Sequence, residues 1–271
     1  MRLRSVLSLA LLTAGAVPAA AQDREPVAPV RHGISIGNYP NVSGLRFNYR
    51  DQDLQQVRGA NFTIWSPYGE PTGTVCGLAF GAPLTGAGSI HGIATDIFGV
   101  GASQEITGIA IAPAGIGAGG RLKGIMVGGV GVGTGGDLQG FALGGVGAGI
   151  GGNARGILIG GIGAGGTIDG IAIAGVGIGA PTIRKFAMAS MVGANRMDGL
   201  IIAPALSRLE EGGSMRGVSV SAVNAMRGQQ HGLTIGIVNY ARELDGMQIG
   251  VVNIARNASV KFLPIVNYHK K

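Results

Sequence analysis

With a single cysteine, Cys76, among 271 residues, the chain cannot close an internal disulfide, and a disulfide framework is excluded. The thiol reads as a small packed side chain. Aromatics make up only 5% and charged residues 13%, and the 21 basic residues are dispersed, never running beyond a pair such as Lys270-Lys271. A nucleic-acid surface needs clustered cations and stacking rings, so no nucleic-acid partner is expected. Proline is scarce, at 11 residues, and glycine does not recur at every third position, which excludes collagen.

What the chain has in excess is glycine, 53 residues. Each interior glycine costs a helix roughly 1 kcal/mol relative to alanine, so a mainly helical protein is excluded. A flexible glycine linker would lack bulky apolar residues, yet 46% of this sequence is hydrophobic. The chain must fold or enter a membrane.

The first 21 residues read MRLRSVLSLALLTAGAVPAAA, with Arg2 and Arg4 ahead of an apolar run and Ala19, Ala20 and Ala21 before Gln22. This pattern predicts a secretory signal peptide over 1–21 and places the protein outside the cytoplasm, in the periplasm, outer membrane or cell surface. Setting Arg2 and Arg4 aside lowers the formal charge from +7 to +5, a mild excess that favours solubility and contact with anionic surfaces.

A repeat dominates the rest. Gly92, Gly108, Gly124, Gly140 and Gly156 follow one another at 16-residue steps, and looser copies open at Gly44, Gly59 and Gly77 upstream and at Gly170, Phe186, Gly199, Gly217, Gly232 and Gly246 downstream. Counting the opening residue as zero, bulky apolar residues fall at +1, +3, +6 and +8, as in Ile125, Val127, Val130 and Val132. Steps of two are the strand period, and the step of three marks a corner at +4/+5, where Gly128-Gly129 and Gly144-Gly145 stand. Another apolar position lies two residues before each opening, as in Leu122 and Leu138, with charges such as Arg121, Lys123 and Asp137 beside it. The expectation is an all-β parallel β-solenoid of about fourteen coils with a 14–16-residue period, its bulky apolar residues pointing inward, one rim charged, and its outer face smooth with Gly and Ala.

Domain organisation follows from the repeat: a signal peptide at 1–21, an irregular N-terminal cap with the first weak repeats at 22–75, a glycine-rich repeat domain at 76–254, and a C-terminal cap at 255–271. The second reading is an outer-membrane β-barrel, motivated by the signal peptide, the glycine-rich strands and the lack of an apolar helix. The step of three counts against it unless every strand carries a bulge.

In the C-terminal units Asn224, Asn239 and Asn253 all stand at +7, and Asn267 repeats the local Val-Asn pattern. In a parallel stack such residues align, which predicts a structural asparagine ladder. Glycines such as Gly115 and Gly131 hold that place in earlier coils. The stretch GLTIGIVNYARELDGMQIGVVNIARN with its LPIVN ending resembles the leptospiral-type bacterial surface-repeat proteins, most closely over 217–271. The resemblance implies an exported or surface location and a repeat fold, and no reaction.

No catalytic, cofactor-binding or metal-ligating residues are expected, and the protein does not read as an enzyme. His32, His91, His231 and His269 lack ligand spacing, and Gly115, Gly117 and Gly120 match a dinucleotide fingerprint only because glycine is so frequent. The expected role is structural or interaction-mediating at the cell envelope. Its partner is an envelope component or a second copy of the chain, with peripheral or integral outer-membrane contact.

Overall fold

The computed structural model describes residues 28–67 and 69–270; the candidate signal peptide lies outside the described residues. Twelve strands and no helix account for the ordered elements among them. Strands β1 (Arg31–Ile36), β2 (Asn41–Arg50), β3 (Gln56–Trp65), β4 (Thr74–Gly81), β5 (Leu84–Asp96) and β6 (Gly99–Ala112) lie side by side in sequence order, all parallel. The two halves of β6 then pair with β7 (Gly115–Ala118) and β8 (Arg121–Gly128), so two successive strands occupy two sides of one coil. β9 (Gly131–Thr134) rests on β7, and β10 (Leu138–Met188) rests on both β8 and β9. β11 (Met191–Ala255) continues the parallel stack, and only β12 (Phe262–His269) folds back antiparallel, lying along β11. β10 and β11 are 51 and 65 residues long because their backbones stay extended and paired through the corners.

This is the expected parallel β-solenoid. An outer-membrane barrel would need antiparallel neighbours. The coil count, about ten turns, differs slightly from the fourteen expected. The step from Gly33 to Gly44 is shorter, at 11 residues, and those from Gly59 to Gly77 and Gly199 to Gly217 are longer, at 18. Within the segment 22–75, read as a cap with the first weak repeats, β1, β2 and β3 form rungs of the stack.

The phase of the coils differs from expectation. In the 16-residue units the buried positions are −2, +2, +4, +8 and +10: Leu122, Met126, Gly128, Val132 and Thr134 face inward. The bulky residues at +1, +3 and +6 face outward, and Ile125 is 46% and Val130 55% exposed. The apolar positions −2 and +8 face inward as expected. Parity explains the difference. Charged residues at −3 and −1 must face water, and in a strand every second residue shares their face, so +1 and +3 are carried outward too. The interior between the two sides of a coil is thin, and its +2 column is largely alanine: Ala94, Ala110, Ala142, Ala172 and Ala187 are each 0–1% exposed.

The opening glycines form a column along the stack. Gly124 has φ +117°, and a Cβ built on it would sit 2.0 Å from the carbonyl oxygen of Gly108; Gly108 meets Gly92 in the same way. Register places Lys185, not Phe186, in this column opposite Gly199, with φ +80° and its Nζ 2.9 Å from Asp169. Glycines at +9 are different, since a Cβ on Gly101, Gly117, Gly149 or Gly179 would enter open space. Replacing Gly124 by alanine is expected to cost at least about 2 kcal/mol, from backbone strain and collision together. Gly117→Ala is expected to change stability by less than about 0.5 kcal/mol. Urea denaturation of both variants measures the contrast.

Candidate interaction surface and buried polar ladders

Among the described residues, side chains capable of chemistry do not converge. Among the described residues no group of three or more His, Cys, Asp or Glu is placed to hold a metal ion. His91 lies 3.4 Å from Glu105, and His231 lies 3.1 Å from Asp245, both on the charged ridge. A broad, open groove of about 850 Å³ is lined by Ser89, Ser103, Gln104, Glu105, Arg121 and Asp137 over a glycine floor. Glu105 and Asp137 flank Arg121 on neighbouring rungs. The Asp137 carboxyl accepts the Asn153 backbone N–H at 2.7 Å, and that bond holds its pKa below the usual range. Asp169 is likewise held low, chiefly by its bond from Lys185. Neither is tuned as a proton donor near neutral pH.

Asp96 is the exception in direction. Burial raises its pKa, against backbone N–H bonds from Thr85, Phe98 and Gly99. Phe98 and Gly99 follow β5 and Thr85 lies near its start, so the carboxylate ties the chain together across this turn. Its position is explained by structure.

Both ends of the rod carry polar side chains in the interior. At the N-terminal end Arg46 is 0% exposed and pairs with Asp51. Its guanidinium also donates to Asn61 Oδ1 and Asn38 Oδ1, each at 2.8 Å, and to the Tyr39 carbonyl at 2.9 Å. Asp51 in turn accepts from Thr63 Oγ1 at 2.7 Å and Asn48 Nδ2 at 2.9 Å. Burial alone would raise the Asp51 pKa, but the charge and hydrogen bonds of Arg46, with Thr63 and Asn48, hold it below the usual carboxylate range. Sequence reasoning missed this network. Arg46 stands at +2 of its unit, on the inward face, and its neighbours Leu45, Phe47 and Tyr49 are the exposed residues, at 41–64%.

At the other end the expected asparagine ladder is present in part. Asn224 Nδ2 donates to Asn239 Oδ1, and Asn239 Nδ2 to Asn253 Oδ1, each at 2.8 Å. Asn253 ends the line on the Gly250 and Leu263 carbonyls. Asn267 is not in this column; the antiparallel turn of β12 places it opposite Gln248. The ladder continues on the other side through residues that sequence reasoning did not single out: Ser219 Oγ donates to Asn224 Oδ1 at 2.8 Å and approaches Ser207 Oγ at 2.9 Å. Ser207 at +8 occupies the inward place, and glycines such as Gly131 at +7 in the central coils are partly exposed. The corner is one residue shorter in the asparagine coils, which brings +7 inside. Gln230, Thr234 and Gln248 form a second buried polar line beside it.

Between these ends the outer surface is apolar. The +6 column carries Phe98, Val130, Val146, Ile162, Val176 and Met191, each 47–65% exposed. The +1 and +3 columns add Ile93, Ile109, Ile111, Ile157, Ile171 and Ile173, each 37–50% exposed. Together they leave on the order of 1,000 Å² of apolar surface in water, beyond the few hundred typical of the largest patch on a soluble monomer. The outer face expected to be smooth is thus ridged with aliphatic side chains at +1, +3 and +6, and smooth only along the +7 and +9 glycines. Comparison with protein-family models, curated proteins and solved structures finds no match to the chain.

Two outcomes test the ladders. Asp51→Ala leaves Arg46 buried without its counter-charge and is expected to destabilise the protein by about 3–5 kcal/mol. Because the folded-state pKa of Asp51 is depressed, its contribution is complete above about pH 4 and is lost as the pH falls through the folded value. The fall of the urea midpoint below pH 4 should therefore be shallower in Asp51→Asn than in the wild type. Asn239→Ala removes both ladder bonds of that residue and is expected to cost about 2 kcal/mol, read from thermal unfolding.

Proposed function

We propose that this is an exported, non-catalytic repeat protein with a structural or interaction role at the bacterial cell envelope. The observation that carries the reading is the apolar outer surface of the central coils, which marks a face meant to be covered. The signal-peptide pattern of residues 1–21 supports export, and the resemblance of 217–271 to surface-repeat proteins supports an envelope location. Among the described residues the side chains supply no convergent nucleophile, base or acid that would favour an enzyme. The parallel pairing favours a rod over the pore-forming barrel that was the second reading.

The reading is tested by expressing the full chain in a Gram-negative host and fractionating the cells. The expected result is a processed protein beginning at Gln22, identified by mass spectrometry and recovered with the envelope. Recovery of the unprocessed chain from the cytosol would overturn it.

A further inference from the structure

We infer that the apolar surface of the central coils is a lipid-facing belt, on which the rod lies lengthwise in one leaflet of a phospholipid bilayer with its charged ridge at the headgroups. The inference rests on the envelope reading above and names the partner.

Charge segregation is the first support. Between residues 97 and 207 there are ten charged residues, and every one falls within positions −3 to 0 of its coil. The run from +1 to +10 carries none in the units opened by Gly108, Gly124, Gly140, Gly156 and Gly170. From Gly92 to Gly199 the column spans eight rungs, about 34 Å at the usual strand spacing. The rod is therefore amphipathic about its long axis, in the manner of an interfacial helix but built from strands.

The shape of the belt favours lipid over a second copy. It starts on the side carrying +1 and +3, passes over the corner at Val130, Val146 and Ile162, and continues onto the glycine-lined side at +7 and +9. A flat partner covers one side of a corner, whereas acyl chains cover both. Protein interfaces are anchored by Trp, Tyr and Arg. The belt contains none of these, and its aromatics are Phe98, Phe141 and Phe186.

Backbone chemistry permits the placement. A surface in hydrocarbon must leave no N–H or C=O without a partner. Along the sides of this rod those groups are spent on the ladder between coils, as between Gly99–Ala102 and Gly115–Ala118 or Gly131–Thr134 and Gly147–Ile150. The ridge holds six basic residues, including Lys123, Arg155 and Arg184, and four acidic ones, so it suits an anionic headgroup layer without depending on it.

The test is flotation of the purified, processed chain with phosphatidylcholine vesicles, with and without phosphatidylglycerol as the anionic lipid. The expected result is co-flotation with both, strengthened several-fold by the anionic lipid. The triple variant Val130→Asp, Val146→Asp, Ile162→Asp alters only outward corner side chains and is expected to lower partitioning at least about tenfold, with unchanged circular dichroism. A ridge control, Gln139→Asp with Thr167→Asp, should stay within about twofold on phosphatidylcholine. Should the triple variant misfold, an environment-sensitive dye on Val146→Cys in a Cys76→Ser background gives a second readout. Its emission is expected to shift blue on vesicles and to be quenched by brominated acyl chains, while the same dye on Gln139→Cys is not quenched.

A wild-type chain that stays at the bottom of the gradient overturns the inference. So does a stable dimer by light scattering that the triple variant dissolves, which would make the belt an interface between copies. An exported but vesicle-blind protein defeats this inference alone, and a chain that floats yet stays unprocessed in the cytosol defeats the export reading alone.

Discussion

The contact on which the architecture depends is that of one opening glycine with the carbonyl oxygen of the glycine beneath it. The chain kinks at this point in nearly every coil, and the glycine kinks stack so closely that a Cβ built on one would collide with the carbonyl beneath it. Turn length varies from 11 to 18 residues, yet the column continues unbroken from Gly33 to Gly246. Extra residues are placed elsewhere in the turn. The long turn between Gly59 and Gly77 spends them around Pro67 to Gly73, outside the strands, and the one between Gly199 and Gly217 spends them around Glu210 to Gly213. The repeat therefore constrains one point per coil tightly and tolerates variation in the rest. Lys185 is a departure within the column, kept at φ +80° by the rungs on either side.

From that fixed point the parity of the strand decides what lies inside. The +2 column runs from Arg46 and Asn61 through alanines to Ser219, Thr234 and Gln248. Its apolar stretch lies where each coil has neighbours on both sides. Its polar stretches lie near the ends, where Arg46, Asn61, Ser219, Thr234 and Gln248 are as fully buried as the central alanines. Buried polar groups there are tolerable because the stack supplies partners at one-rung intervals, as the asparagine bonds do. The ends carry directional bonding and the centre carries packing.

How much of this was legible in the sequence depends on which property is asked about. Period, parallel stacking, the glycine column and the alignment of Asn224, Asn239 and Asn253 follow from spacing alone. The inward face did not, because in units such as Gly170-Ile-Ala-Ile-Ala both alternating sets are apolar and size favours the wrong one. The needed signal was present in the charges at −3 and −1, whose parity fixes +1 and +3 outward. The same inversion hid Arg46, since Leu45, Phe47 and Tyr49 read as the buried set. Asn267 was misplaced for another reason: the reversal of β12 is a tertiary event with no periodic trace.

The inversion also resolves the composition. A rod one coil thick has little interior, and only five of the sixteen positions of a regular turn face inward. A sequence that is 46% hydrophobic, with a mean hydropathy of +0.36, has more apolar residues than such an interior can hold. In a compact domain the surplus would enlarge the core, but a solenoid grows only along its axis and keeps the same ratio of surface to interior at every added coil. The surplus must therefore sit outside. It is not scattered there: the ten charges between 97 and 207 are confined to one ridge, which leaves the rest of the circumference continuous and uncharged. Hydrophobicity in this chain is thus a property of its outer surface more than of its core, and glycine serves both the kinks that stack the coils and the flat side along which they meet their surroundings.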